Sequence, residues 1–130
     1  MVKSRVEAQV KLMVSDISEL RLRALTTKQR HSITLNATSY VFKSYSSENQ
    51  SLFNGNIIAG GTHDVVYGLK YPTGTSYAGQ IYEIDTRGIL VSIPATIFLD
   101  YNGSAALDCL TMHTVRVNYG KKNGASCDDR

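Results

Sequence analysis

The sequence contains no tryptophan, two prolines and two cysteines. The cysteines, Cys109 and Cys127, form no CxxC pair and share no ligand spacing with a histidine. That excludes the usual zinc modules and thioredoxin-like redox sites. No stretch approaches the ~20 apolar residues of a membrane span, and no signal peptide is visible. The nucleotide loops GxGxxG and GxxxxGK[ST] and the GxSxG nucleophile elbow are missing as well.

Catalytic constellations are equally scarce. His31, His63 and His113 are scattered, and His63-Asp64 is an adjacency common in loops. Nucleophilic catalysis needs a nucleophile, a base and an orienting group in one place, and nothing in the spacing assembles them. Glu83 and Asp85 alternate on a strand candidate and Asp128-Asp129 sits at the terminus, so both pairs read as solvated carboxylates. The expectation is a protein that is not an enzyme and that carries no cofactor or metal.

What remains is a chain of one-domain size, residues 1–130, with ordinary apolar and charged content. Ten glycines and eight tyrosines, with many Ser, Thr and Asn, suit a strand-rich and loop-rich domain. The net charge of +3 is uneven. Residues 1–30 carry +4 and the rest sum to about −1, so the basic excess belongs to the N-terminal segment as a solvated helix face.

That segment is the clearest element. Val6, Val10, Met13, Val14, Ile17, Leu20, Ala24 and Leu25 recur every three or four residues, as one apolar stripe of an amphipathic helix does. Neither Gly nor Pro interrupts residues 2–30. About 26 helical residues make a rod of roughly 39 Å. A rod of that length is too long for one small sheet to cover, so the stripe is expected to be sheltered from about Met13 to Leu25 and to project before that. The helix also opens with no turn residue or N-cap, which implies a longer helix whose front part is missing.

After Arg30 the pattern alternates. Ile33 and Leu35, then Tyr40 and Phe42, predict strands. Residues 44–61 are polar and predict a loop with a turn at Asn54-Gly55. Further strands are expected at Val65–Tyr67, Ile81–Ile84, Ile89–Ile93 (ended by Pro94), Ile97–Leu99, Ala106–Met112 and Thr114–Tyr119. Turns are expected at Asp85–Gly88 and Asn102-Gly103, and a polar tail over Gly120–Arg130. Glycosylation sequons at Asn36, Asn49 and Asn102 are short enough to arise by chance. The fold class is α+β: a long N-terminal α-helix (1–30) packed on an antiparallel β-sheet (31–130).

Two features of the C-terminal region bear on function. Cys109 and Cys127 would close a loop in an oxidising compartment, worth roughly 3 kcal/mol by loop entropy, or remain free thiols in a reducing one. Arg116, Lys121 and Lys122 form a small basic cluster that could touch phosphates. Lys121 and Lys122 are adjacent, however, and point to opposite sides of an extended chain. The plainer reading is a solubilising turn.

Taken together, these elements resemble the type IV pilin superfamily, and within it minor pilins and the pseudopilin H type of type II secretion systems. The likeness rests on the helix end Leu20–Gln29, the first strand Ser32–Leu35, the turns Asp85–Gly88 and Phe98–Gly103, and the closing segment from Cys109 through Val115-Arg116-Val117 and Gly120-Lys121-Lys122 to Cys127. The family's processed hydrophobic leader is absent from these residues. The resemblance implies a subunit anchored in the inner membrane by a missing N-terminal helix half and located in the periplasm or in a filament at the cell surface. Its partners would be other pilin or pseudopilin subunits. Val6, Val10, Met13, Val14 and Ile17 would form the filament-assembly face of the helix. Some relatives bind DNA through a C-terminal Gly-Arg-x-Arg motif. Gly120 and Lys121 match its first two positions in kind, whereas Asn123 replaces the second arginine.

Overall fold

A computed structural model describes residues 2–47, 50–91, 95–101, 107–124 and 126–129. The first element is one uninterrupted helix, α1 (Val2–Thr27), closed by Lys28 in a left-handed conformation. Strands follow in two antiparallel sheets. The first sheet runs β3-β2-β1-β5, from β1 (His31–Leu35), β2 (Ser39–Ser44), β3 (Asn56–Asp64) and β5 (Gln80–Ile84). The second runs β4-β6-β7-β8-β9, from β4 (Leu69–Lys70), β6 (Ala95–Leu99), β7 (Cys109–Met112), β8 (Val117–Asn123) and β9 (Ser126–Asp129). The class is therefore α+β, with two sheets where one was expected.

The helix lies against both sheets, touching β1 in the first and β7 and β8 in the second. Its stripe joins one core with Ile33, Leu35, Tyr40 and Phe42 from the first sheet and Ile97, Leu99, Leu110 and Met112 from the second. The length argument assumed one sheet, whereas the helix packs on two. Val6 and Val10 are as fully buried as Met13, Ile17, Leu20 and Ala24. Thus the N-terminal half of the stripe does not project. Val14 is only half-buried and Leu25 is exposed, because they sit at the margin of the covered arc.

Other boundaries move too. Residues 56–61, expected in a loop, belong to the longest strand, which runs on to Asp64, and Val65–Tyr67 is a connection instead. Gln9 clamps that connection to the helix: its amide donates to the Tyr67 carbonyl (2.8 Å) and accepts from the Tyr67 N–H (3.0 Å). Ile89–Val91 belongs to no strand, and Val91 is exposed although Leu90 is buried. The expected tail instead completes β8 and adds β9, paired Lys122 to Cys127. Ser92 and Ile93 of the expected strand Ile89–Ile93, Pro94, the Asn102-Gly103 turn, Ala106 and the sequon residues Asn49 and Asn102 lie outside the described residues.

The turn at Asp85–Gly88 forms as expected. Asp85 accepts from the N–H groups of Arg87 (2.9 Å) and Ile89 (3.1 Å). Gly88 adopts φ +75°, and a Cβ there would press on the Arg21 carbonyl of α1. Side chains also fasten the chain just beyond the helix C-terminus. Arg30, buried at the entry to β1, pairs with Glu83 (3.2 Å), donates to the carbonyls of Ser47 and Gln50, and stacks over Tyr45. Among the described residues, no helix is long and apolar enough to cross a membrane.

Candidate functional site

The residues expected to carry assembly are distributed unequally. Val6, Val10, Met13 and Ile17 are sealed inside the domain. They cannot also be a surface for neighbouring subunits, because exposing them would uncover the core. The helix nonetheless has an apolar outer side. Leu12 is 58% exposed and Leu22 is 61% exposed, ten residues or about 15 Å apart along the axis. Leu25 is exposed on the opposite flank. Sequence periodicity contained this signal, since Leu12 and Leu22 fall off the buried stripe.

Between this outer side and β3 the surface sinks into two open hollows. One, of about 530 Å³, is bounded by Leu22, Arg23 and Thr26 of the helix and by Ile58 and Gly60 of β3. The other, of about 690 Å³, lies between Arg5, Ala8 and Leu12 and the segment Asp64–Tyr67. His63 borders both. Its ring stacks on Tyr40 (centroids 4.8 Å), and its Nδ1 lies 3.6 Å from Asp16. The Tyr40 hydroxyl donates to the same Asp16 oxygen at 2.7 Å. Burial, reinforced by the Asp16 carboxylate, pushes the Tyr40 pKa far above its ordinary value, so Tyr40 remains a neutral donor. This Asp16–Tyr40–His63 cluster was not legible in the sequence, because its members come from three elements. It ties β2 and β3 to the helix.

The C-terminal corner holds the second set of candidates. Cys109 and Cys127 are joined in a disulfide linking β7 to β9. Gly120 sits between them in the sheet, and a Cβ there would collide with the Asp128 carbonyl and the Cys127 sulfur. Close packing therefore accounts for this glycine without a DNA motif. Lys122 turns inward: its ammonium donates to the Leu99 carbonyl (2.5 Å) and lies 5.0 Å and 5.4 Å from the ring centres of Tyr101 and Phe98. Burial lowers its pKa, opposed by the nearby carboxylates of Asp108 and Asp100. Asp108, itself buried, accepts from the Lys122 N–H and the Tyr101 hydroxyl.

The structure does not gather the three basic residues into one patch. Arg116 is exposed in the turn before β8, whereas Lys121 lies five residues on, roughly 16 Å along an extended strand. Lys121 is the register partner of Asp128, which places a carboxylate beside it. Lys122 is half-buried, its ammonium held at the Leu99 carbonyl.

One charged group remains poorly satisfied. Arg21 is 8% exposed, on the flank of α1 facing the second sheet, and donates from Nη2 to the His113 carbonyl. Its Nε and Nη1 are enclosed without a protein partner, and burial lowers its pKa. Among the described residues, no three His, Cys, Asp or Glu side chains converge as a metal site would require. The chain matches no protein-family model, no curated protein and no solved structure.

Proposed function

We propose that this chain is a structural subunit of a type IV pilin-like filament, of the minor pilin or pseudopilin kind, whose work is assembly and not turnover. The observation that carries the reading is the two-sidedness of α1. One side is consumed by the protein's own sheets from Val6 to Ala24, and the other presents Leu12 and Leu22 to solvent. Large apolar side chains exposed along one helix are candidate contacts for a neighbouring helix. The assembly face is thereby moved from Val6, Val10, Met13, Val14 and Ile17 to Leu12 and Leu22. The Cys109–Cys127 disulfide supports a location outside the cytoplasm, in the periplasm or at the cell surface. Receptor activity toward DNA has weaker support, since Lys122 is turned inward and Lys121 faces Asp128.

The test is to shear surface filaments from cells that make the protein and probe them with an antibody to it. The reading predicts the protein in the filament fraction, with the two cysteines unreactive toward thiol reagents until reduced. Recovery only from the cytosol with two reactive thiols would defeat it.

A further inference from the structure

The edge of the first sheet points to a second contact, which does not depend on the filament reading. A strand at a sheet edge leaves a row of backbone N–H and C=O groups with no partner in the sheet, a template on which another extended backbone can pair. The other edges are short or occupied. β4 has two residues and β9 has four, including Asp128 and Asp129. Beside β5, Val91 donates to the Glu83 carbonyl and Leu90 bridges Ile84. β3 has nine residues, and among the described residues no strand pairs with its outer side. Of the devices that protect such edges it has a bulge but no lysine, arginine or proline.

We propose that β3 pairs with β3 of a second copy, antiparallel and about a two-fold axis beside Gly60. The occupant follows from the distribution of side chains. The most exposed large apolar residues, Val66 at 85% and Phe53 at 78%, flank opposite ends of this strand. An antiparallel self-pair centred between Ala59 and Gly60 sets Phe53 of each copy in register with Val66 of the other. The same register sets Ile57, 57% exposed, opposite Thr62, and the two share a face because their β2 partners, Lys43 and Val41, do. Asp64, the sole carboxylate of β3, falls opposite Gly55 and not its own copy.

The irregularity of β3 fits this centre. Its register against β2 shifts between Val41 and Lys43, so Ile58–Gly61 bulge out of the ladder. Gly60 on the bulge has open space around it, with no side chain to hold two backbones apart. The ladder then forms in two symmetric pieces, Asn56-Ile57 of each copy against Thr62-His63 of the other. Such an interface is self-complementary and closes at two copies, as two-fold contacts do.

The test combines sedimentation with cross-linking. Wild-type protein should sediment at twice the 14.3 kDa chain mass. The Ile57→Lys/Ala59→Lys variant, altered at exposed positions, should stay folded and dimerise at least about tenfold more weakly. In mixtures of Phe53→Cys and Val66→Cys chains treated with a short thiol cross-linker, links should join unlike variants in preference to like ones. Three results each overturn the proposal: a monomer at the highest soluble concentration, a dimer unaffected by the two lysines, or links joining like variants as readily as unlike.

Discussion

The Tyr40 hydroxyl lies 2.7 Å from Oδ2 of Asp16 and donates to it, fastening β2 to the middle of a helix twenty-four residues earlier in the chain. Tyr40 is buried to 1% exposure, so the bond is shielded from competing water. Hydrogen bonds to a charged acceptor are worth about 1.5–3 kcal/mol. Tyr40→Phe should lower unfolding free energy by about that amount in urea melts, leaving far-ultraviolet dichroism unchanged. A loss under about 0.5 kcal/mol, the range of ordinary surface changes, would mean the contact is incidental.

The disulfide stabilises by restricting the unfolded chain. A loop of 18 residues corresponds to about 3 kcal/mol in the chain-entropy account. The Cys109→Ala/Cys127→Ala protein should therefore unfold at clearly lower urea. The loss should be larger if Gly120 and Asp128, which the bridge holds in close contact, separate as well. Equal stability with and without the bridge would contradict the assigned pairing.

Acid should weaken the fold through His31. Its ring is fully buried, and Nδ1–H donates to the Gln29 carbonyl at 2.8 Å, leaving Nε2 enclosed without a partner. Burial lowers its pKa, aided by Arg23 and partly offset by the Gln29 bond. The folded state thus holds fewer protons than the unfolded state once pH drops toward the unfolded value of about 6.5. Stability from the neutral ring is complete above that pH and declines below it as pH falls toward the depressed folded pKa. Urea midpoints measured from pH 7.5 down to about pH 5 should fall, and His31→Asn, which retains a donor for Gln29, should flatten the slope. An unchanged slope in that variant would show that other groups set the acid limit.

Much of this was legible in the sequence wherever local pattern decides structure. The helix stripe gave α1 nearly to its ends, and alternation at Ile33/Leu35 and Tyr40/Phe42 gave β1 and β2. Failures came where long-range pairing decides. Asn56–Asp64 is strand because β2 offers a ladder, despite two adjacent glycines and a polar flank. Ser126–Asp129 is strand because β8 and the disulfide hold it. The second sheet was the largest omission, since the helix packs on β7 and β8 as well as on β1, and its stripe is buried from Val6 onward. Lys122 shows the same limit. Alternation correctly sent it to the side opposite Lys121, but only the fold reveals Phe98, Leu99 and Tyr101 waiting there.

The two sides of α1 should respond oppositely to substitution. Ile17→Ala and Val10→Ala remove buried groups, and truncation in the core costs roughly 2–5 kcal/mol for the larger side chain, less for valine. Leu12→Ala and Leu22→Ala alter exposed groups and should stay within about 0.5 kcal/mol of wild type. Thermal or urea melts of the four variants check the division.

The central claim, that the outer side of α1 is the surface a neighbouring subunit meets, is tested most directly by incorporating the Leu12→Asp/Leu22→Asp protein into filaments. The account predicts an unfolding midpoint close to wild type and loss of the protein from the sheared filament fraction. Normal incorporation of that folded variant would contradict it.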